Sequence, residues 1–514
     1  MHHPKYVLTT ALASLLAPSA GWAEYVGRAD DAAWRAEADA RIEQYRKGGL
    51  TLQLQDGLGR ALSGASVRLS MREHAFKFGA TLNERVWTDP VSDGFTQADA
   101  DQLDRIHFQP LQGSAYGNAQ GRRMFNAVTV EFGYRDESWG WGVEAGRWFN
   151  NGVIPPAELA TRRANAVGMD VLAHYITEMD TPIDVTAPED GAWWNQNGAT
   201  DARDLDEDGD TDWQDLVYDR IAGANPNPGG IGRIADWHVL NHFGRWTGSD
   251  LAVSNEQGVE IMKLVRQLDP GARLWVNENW ILTGVDDDND PLYRTNIQYL
   301  FENDAAPDGI GFQAHFGTNN FVVGDVYQNI IPAGGIPEIL ARLEQWHDEF
   351  GLAMQVSEFD IQKTLPQDVR DDFATDLLIA AFSHPGVTHF NYWGVSDRVH
   401  DRAVLFDSDW KLTQAGLDYL ELVLGAWWTE EAGVTDAEGV FDASAFLGIY
   451  SLEVELDGQS YSFDLNHLDA SGQRLVITIP EAAAGSCVCV GLLFCRRHRQ
   501  STCPHRSPGR SGVT

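Results

Sequence analysis

The chain has 514 residues, of which 43% are hydrophobic, so it is long enough for one large domain with smaller units beside it. Its 75 acidic and 38 basic residues give a formal net charge of −37. Because such a charge repels polyanions, nucleic acid and anionic membranes are excluded as expected partners, and a neutral polymer is favoured. The alternative is that the acidity only keeps the protein soluble.

The first 23 residues have the pattern of an export signal. Lys5 precedes a mostly apolar run from Tyr6 to Ala17, and Gly21-Trp22-Ala23 provides small residues at the two positions that a signal peptidase recognises. The apolar run is too short to span a bilayer stably. We therefore expect residues 1–23 to be a signal peptide and the protein to be secreted or held at the cell surface.

The next 400 residues predict an α/β fold. Residues 24–75 are expected to form a charged helix and a small β unit. Eight short apolar runs then alternate with stretches of helical length, which predicts a closed (β/α)8 TIM barrel over 76–428, with small β appendages at both ends. An open doubly wound sheet is the alternative, but no glycine-rich phosphate loop follows any run. The predicted strands are Phe76–Leu82, Ala127–Glu131, Val171–Ile176, Trp237–Asn241, Leu274–Asn277, Ile310–His315, Met354–Phe359 and Val387–Trp393.

Polar side chains stand at the end of nearly every predicted strand. Since the carboxyl ends of barrel strands form the active face, these side chains are expected to converge on one cleft. Any single one is explained by capping or a buried hydrogen bond, but the whole set predicts a functional site. Its members are Asn83, Glu131, His174, Asn241, His242, Asn277, Glu278, Gln313, His315, Glu358, Asp360 and Trp393.

Eight sequence segments carry a family resemblance. They are FKFGATLN (76–83), FNAVTVE (125–131), GMDVLAH (168–174), DWHVLN (236–241), GIGFQAHF (309–316), VSEFDI (356–361), YWGVSD (392–397) and LFDSDWK (405–411). In these segments and their order the chain resembles glycoside hydrolase family 10, the endo-1,4-β-xylanases. The resemblance implies hydrolysis of β-1,4-xylan or a related polysaccharide with retention, by two carboxyl groups about 5–5.5 Å apart and without an organic cofactor.

The resemblance assigns the catalytic positions. Glu358 in VSEFDI matches the nucleophile, and His315 in FQAHF matches the histidine that orients it. The family's acid/base glutamate directly follows an asparagine that matches Asn241, but this chain has His242 at that position.

Five side chains match substrate-binding positions of the family. Asn241 matches the contact to the sugar 2-hydroxyl, and Trp393 would form an apolar wall for a sugar ring. Several other family contacts are absent. Glu178 stands where the family has a subsite tryptophan, and the position of a second family tryptophan corresponds to the region of Asp401. The five matching residues are Asn241, Gln313, His174, Glu131 and Trp393.

Three hypotheses follow for position 242. His242 serves as acid and base, because imidazole titrates near 6.5. Alternatively, Glu278 or Glu178 reaches the site as a displaced acid. In the third hypothesis hydrolysis is lost and the chain is a non-catalytic carbohydrate-binding protein that uses the same cleft. A structural surface protein is the remaining alternative.

An acidic insertion near 198–216 contains a calcium-loop pattern. Acidic residues at loop positions 1, 3, 5, 7, 9 and 12, with glycine at position 6, are typical of an EF-hand-like loop. A structural Ca²⁺ ion is therefore expected, and a solvated acidic loop is the alternative. The predicted ligands are Asp204, Asp206, Asp208, Asp210, Asp212 and Asp215.

The last 86 residues are predicted to hold a β unit and a tail. Residues 429–480 are expected to form a small C-terminal β unit, which either binds sugar or packs against the barrel. In the tail, 481–514, all four cysteines lie between 487 and 503, so no disulfide framework is predicted for the body. The Pro480-Glu481 pair, an apolar stretch and an arginine cluster resemble C-terminal sorting tags of some Gram-negative bacteria. This resemblance implies cell-envelope sorting machinery as a partner; a disordered or frame-shifted end is the alternative.

Overall fold

The computed structural model describes residues 25–87, 94–131, 156–179, 214, 217–218, 221, 234–244, 253–283, 289–316, 331–468 and 470–479. The predicted signal peptide, the six aspartates of the calcium-loop pattern and the tail from residue 481 lie outside the described residues. Within the described ranges, no helix is both long and apolar enough to cross a membrane.

Helices and strands alternate along much of the described chain. The first half contains α1 (Ala33–Tyr45), β1 (Lys47–Asp56), β2 (Ser66–His74), β3 (Lys77–Leu82), α2 (Gln97–Phe108), β4 (Ala127–Val130), α3 (Pro156–Ala166), β5 (Asp170–Glu178) and β6 (Asp236–Asn241). The second half contains α4 (Asn255–Leu268), β7 (Arg273–Asn279), α5 (Asn289–Glu302), β8 (Gly309–Phe316), α6 (Gly335–Phe350), β9 (Ala353–Ile361), α7 (Gln367–Ser383), β10 (Val387–Tyr392), α8 (Gln414–Glu421), β11 (Glu430–Val434), β12 (Val440–Phe446), β13 (Gly448–Leu456), β14 (Gln459–Leu468) and β15 (Gln473–Ile479).

Strands β3 to β10 close into one parallel barrel in the order β10-β3-β4-β5-β6-β7-β8-β9. This confirms the predicted (β/α)8 barrel. All six residues of β6 and all four of β4 are buried, as expected for parallel strands whose outer faces are covered by helices. The near-continuous apolar runs in the sequence therefore arise because the strands are buried on both faces.

Two helices show how local sequence fixes the barrel's outer layer. Helix α4 begins after Ser254, whose hydroxyl accepts a hydrogen bond from the backbone N–H of Gln257 at 3.2 Å. Helix α6 ends at Gly351, which adopts φ 63° and donates its N–H to the carbonyl of His347. Each helix thus starts or stops beside a residue suited to that end.

Strands from the two ends of the chain form joint sheets, which differs from the two separate β appendages expected from the sequence. One sheet has the order β12-β1-β15 and the other β11-β2-β13-β14. Leu52 of β1 lies opposite Phe441 of β12, and Leu69 of β2 lies opposite Leu452 of β13. Because β1 and β2 each alternate buried and more exposed residues, each needs a partner strand to complete a buried face. That partner comes from residues nearly 400 positions away in the chain.

Arg46, directly after α1, connects this N-terminal helix to the base of the barrel. Its side chain is 8% exposed and donates hydrogen bonds to three backbone carbonyls, those of Phe382 at 2.5 Å, His384 at 2.5 Å and Val387 at 2.7 Å. The guanidinium also lies 4.9 Å from the ring centre of Phe76. Burial lowers the pKa of Arg46 to about 9. The guanidinium therefore satisfies carbonyls that would otherwise be buried without partners.

Replacing Arg46 by methionine is expected to lower the free energy of unfolding by about 3–5 kcal/mol, since three buried carbonyls lose their donor. Denaturant unfolding of the purified variant measures this. The matched control is Arg60→Met, because the Arg60 side chain is 69% exposed and its ion pair with Asp56 is open to solvent, so a loss below about 1 kcal/mol is expected. Equal losses in the two variants would contradict the role given to Arg46.

Candidate active site

The barrel brings all eight of the predicted catalytic and sugar-binding side chains to one end. Each lies between the middle and the carboxyl end of a barrel strand, or directly beyond that end, towards the face where the active sites of such barrels are found. Five of the eight are at most 4% exposed, and the other three are partly exposed. The buried residues are Glu131, His174, Asn241, Gln313 and Glu358, and the partly exposed ones are His242, His315 and Trp393.

Glu358 is held by a histidine that is itself held by a second carboxylate. Nε2 of His315 lies 3.0 Å from Oε2 of Glu358, and Nδ1 of His315 lies 3.0 Å from Oδ2 of Asp360. Strand alternation explains the arrangement, since Glu358 and Asp360 are two residues apart in β9 and face the same side. Oε1 of Glu358 accepts no hydrogen bond from the described residues. One oxygen is thus oriented while the other remains available for chemistry.

The two carboxylates make His315 a cation at neutral pH. Burial alone lowers the pKa of His315, but the charge of Asp360 and the hydrogen bonds to Asp360 and Glu358 outweigh it and raise that pKa to about 10. Because this value exceeds the ordinary one near 6.5, the ion pair stabilises the fold fully below about pH 6.5. The stabilisation is lost as the pH rises through about 10.

Asp360→Asn is expected to destabilise the protein by about 3–5 kcal/mol at pH 6, because it removes one of the two carboxylates that pair with cationic His315. The difference from wild type should shrink as the pH approaches 10, where His315 loses its charge in the parent protein. Thermal unfolding at several pH values measures this. In the control Asp401→Asn, an exposed carboxylate that pairs with Lys363 is lost, and little change is expected. A difference that is independent of pH would contradict the account.

A second hydrogen-bonded chain carries His242. Nε2 of His242 lies 3.2 Å from Oε1 of Gln313, and Nε2 of Gln313 donates to Oδ1 of Asn241 at 2.8 Å. Because the amide oxygen of Gln313 can only accept, Nε2 of His242 carries a proton in this arrangement. Gln313 also lies opposite Glu358 in the β8–β9 register, so one residue, Gln313, stands between His242 and the predicted nucleophile.

The backbone at His242 has φ 54°, in the left-handed region that side chains other than glycine seldom adopt. Two residues later the N–H of Gly244 donates to Oε2 of Glu278, while Oε1 of Glu278 accepts from the N–H of Asn279 at 2.7 Å. Glu278 is fully buried. The geometry therefore argues against Glu278 as a displaced acid and makes it the support of the loop that holds His242. The side chain of Glu178, the other candidate, lies outside the described residues.

Trp393 forms an aromatic wall beside these groups. The ring centre of Trp393 lies 5.3 Å from that of His174 and 5.8 Å from that of His315, in edge-to-face arrangements. On the other side of the cleft, Glu131 accepts a hydrogen bond from Nε2 of His400 at 2.9 Å, and His400 lies 6.4 Å from Trp393. The wall therefore has histidines along its edges and a carboxylate within reach of the same cleft.

Three further residues contribute to the site, although no catalytic or sugar-binding role was predicted for them. Asp360 was among the polar strand ends, and its spacing of two from Glu358 indicates a shared face. His400 and His238 had no comparable indication, because each contacts a residue from a different part of the chain, Glu131 and His174 respectively. For metal binding, no group of three or more His, Cys, Asp or Glu side chains suited to an ion occurs in the part of the chain that is described.

The closed barrel of eight parallel strands places this protein in the (β/α)8 fold class. In this class the active site lies at the carboxyl ends of the strands, and here carboxylates and histidines lie towards that end. Residues 233–416, from β6 into α8, match the model of glycosyl hydrolase family 10. Over these residues the chain is similar to glycosyl hydrolase family 10.

The chain is also similar to individual proteins and to solved structures. Anti-sigma-I factor RsgI6 of Acetivibrio thermocellus is 24% identical over 460 residues, which cover 85% of this chain and 49% of that protein. Endo-1,4-beta-xylanase 1 of Arabidopsis thaliana is 27% identical over 224 residues, covering 43% of this chain and 22% of that protein. Xylanase 10B of Thermotoga petrophila RKU-1, solved with xylobiose, aligns with a TM-score of 0.44 at 17% identity, over 69% of this chain and 98% of that one. The chain thus spans about half, or less, of the length of these two curated relatives.

Proposed function

We propose that the protein hydrolyses β-1,4-xylan or a related polysaccharide with retention of anomeric configuration, through a covalent glycosyl–Glu358 intermediate. The observation that supports this most directly is the Asp360–His315–Glu358 array, which orients one oxygen of Glu358 and leaves the other without a hydrogen bond from the described residues. An oriented carboxylate at the carboxyl end of a barrel strand suits attack on an anomeric carbon.

The proposed reaction has two balanced steps. In the first, Oε1 of Glu358 bonds to the anomeric carbon, the glycosidic C–O bond breaks, and the leaving oxygen takes a proton from His242. In the second, neutral His242 removes a proton from water, the water oxygen bonds to the anomeric carbon, and the bond to Glu358 breaks. Asn241, linked to His242 through Gln313, is assigned the hydrogen bond to the sugar 2-hydroxyl in both steps, as the family resemblance implies.

A second candidate function is sugar binding without hydrolysis. It is favoured by the absence of a carboxylate at position 242 and by the burial of Glu278, whose two oxygens are engaged by backbone N–H groups. The two candidates differ in their response to Glu358→Gln. In a hydrolase this variant loses turnover and keeps sugar binding, whereas a binding protein shows no turnover even before the substitution.

The stereochemical course tests retention. We expect proton NMR of freshly hydrolysed xylo-oligosaccharide to show the β-anomer of the new reducing end first, followed by slow mutarotation. Initial appearance of the α-anomer would indicate direct displacement by water and would overturn the covalent intermediate.

Export and calcium binding are part of the same proposal. The signal-like N-terminus supports a secreted or cell-surface location, and the tail supports recognition by cell-envelope sorting machinery. The aspartates from 204 to 215 support one structural Ca²⁺ ion. Calcium at a hundred times its dissociation constant is expected to stabilise the fold by about 2.7 kcal/mol. Thermal unfolding in calcium and in chelator measures this, and identical melting temperatures would reject the site.

A further inference from the structure

A buried polar chain runs down from the cleft into the barrel interior. Nδ1 of His174, on β5, lies 3.1 Å from Nδ1 of His238, on β6. Nε2 of His238 in turn lies 3.0 Å from the amide nitrogen of Gln355, on β9, which also donates to Oδ1 of Asn277 at 3.3 Å. His174 is 1% exposed, and His238 and Gln355 are fully buried. Because these nitrogen atoms contact each other directly, each contact must consist of one donor and one acceptor.

Donor chemistry fixes the direction of this chain. The amide nitrogen of Gln355 can only donate, so Nε2 of His238 must be the lone-pair nitrogen. A neutral imidazole carries its single proton on the other nitrogen, so Nδ1 of His238 is the donor to His174. Nδ1 of His174 is then the acceptor and carries no proton. Burial acts in the same direction, lowering the pKa of His238 to about 4 although the charge of Asp236 opposes it.

The carboxylate of Glu358 near His174 favours protonation of His174. From β9, Oε1 of Glu358 lies 3.8 Å from Nδ1 of His174, so a protonated His174 would pair with the predicted nucleophile. His315, on β8, is a cation on the other oxygen of Glu358. Below His238, Asp236 on β6 pairs with Arg273 on β7 at 2.7 Å and lies 3.5 Å from His389 on β10. The charge at the bottom of the barrel is thus compensated locally, and His238 separates it from the cleft.

We propose that His238 is a positioning residue that keeps His174 uncharged, so that Glu358 has one cationic partner rather than two. The proposal rests on the proposed function, because its catalytic consequence concerns the nucleophile. A second cation 3.8 Å from Glu358 would hold the carboxylate in its ground state and slow its attack. The chain from Gln355 prevents this, since protonation of His174 at Nδ1 would set two N–H groups against each other.

The first arm of the test uses the unaltered protein without substrate. Nitrogen-15 NMR of histidine-labelled protein distinguishes protonated from lone-pair ring nitrogens, and His174→Gln identifies the signals of that residue. We expect His174 to have a lone-pair Nδ1, and His238 a protonated Nδ1, across pH 5.5–8. A proton on Nδ1 of His174 in this range would overturn the proposal, whatever the activity.

The second arm uses a near-isosteric substitution to reverse the donor-to-acceptor direction of the His174–His238–Gln355 hydrogen bonds. In Gln355→Glu a carboxylate can only accept, so His238 must move its proton to Nε2 and His174 must donate from Nδ1. Turnover of an activated aryl β-xylobioside is expected to fall about 10- to 1,000-fold near pH 6 and to recover as the pH rises and His174 loses its charge. The matched control Gln355→Met removes the donor without supplying an acceptor, and should show a smaller loss without the new pH dependence.

The outcomes separate the two proposals. An unchanged pH profile in folded Gln355→Glu would overturn the positioning role. Histidine signals of the expected form, in a protein that turns over no substrate, would instead count against the proposed hydrolysis and leave the protonation state of His174 established. If Gln355→Glu fails to fold, the measurement on the unaltered protein still decides the state of His174.

Discussion

Glu358→Gln is expected to lower hydrolysis of xylan by roughly 10⁴-fold or more, the scale seen when an enzyme loses its nucleophile. The amide is nearly isosteric, so it can keep the contact of 3.0 Å to His315 while losing the charge that attacks the anomeric carbon. Steady-state rates on xylan and on an activated aryl β-xylobioside measure the loss. Both substrates should lose turnover, because attack by Glu358 on the anomeric carbon is the same step that expels either leaving group.

The matched control for this prediction is Glu349→Gln. Glu349 pairs with Arg294 on the barrel's outer surface and is 44% exposed, so its loss should leave turnover within about twofold. Sugar-induced stabilisation of Glu358→Gln should resemble that of the parent protein. A Glu358→Gln variant that hydrolyses xylan at more than a tenth of the parent rate would show that another group is the nucleophile.

His242→Ala is expected to lower hydrolysis of xylan by about 10²–10⁴-fold, the usual contribution of a general acid. Release of an activated aryl group should fall much less in the glycosylation step, since such a group departs with little protonation. His242→Glu should retain xylan hydrolysis within about tenfold of the parent, because a carboxyl group at this position can again donate and accept the proton. Comparison of the three proteins on the two substrates separates proton transfer from a loss of binding.

The pH profile provides an independent check on His242. If imidazolium is the acid, activity on xylan falls as the pH rises above the pKa of His242, and the fall disappears in His242→Ala. Equal activity of the parent and His242→Ala on xylan, or a flat parent profile up to about pH 9, would reject His242 as the acid.

The barrel was predictable because its strands are buried on both faces and therefore stand out as short apolar runs. Val387–Trp393, for example, is predicted as a strand and contains β10, Val387–Tyr392. Residues at strand ends, such as His315 and Glu358, were found for the same reason, since the carboxyl ends of parallel strands meet at one face. The family resemblance then separated nucleophile and orienting positions from other polar strand ends.

Contacts between residues that are far apart in the chain could not be predicted from the sequence. Alternation in β1 indicates a strand, but nothing in its pattern specifies that Leu52 pairs with Phe441, so one joint β unit was expected as two. Glu278 has the type and location of a displaced acid, and only its bonds to Gly244 and Asn279 show that it supports a loop. The direction of the His174–His238–Gln355 chain likewise depends on which atoms meet, and this follows from the packing of three different strands.

We expect Glu358 to act as the nucleophile even though the acid/base position, 242, is occupied by histidine. The most direct measurement incubates the purified protein, in calcium, with an activated aryl β-xylobioside and follows aryl release together with intact protein mass. We predict steady release, or a protein that carries one xylobiosyl unit, and neither in Glu358→Gln. An adduct that accumulates would locate the slow step at water activation by His242. No release and no adduct from folded protein would contradict the claim and favour a sugar-binding protein without hydrolysis.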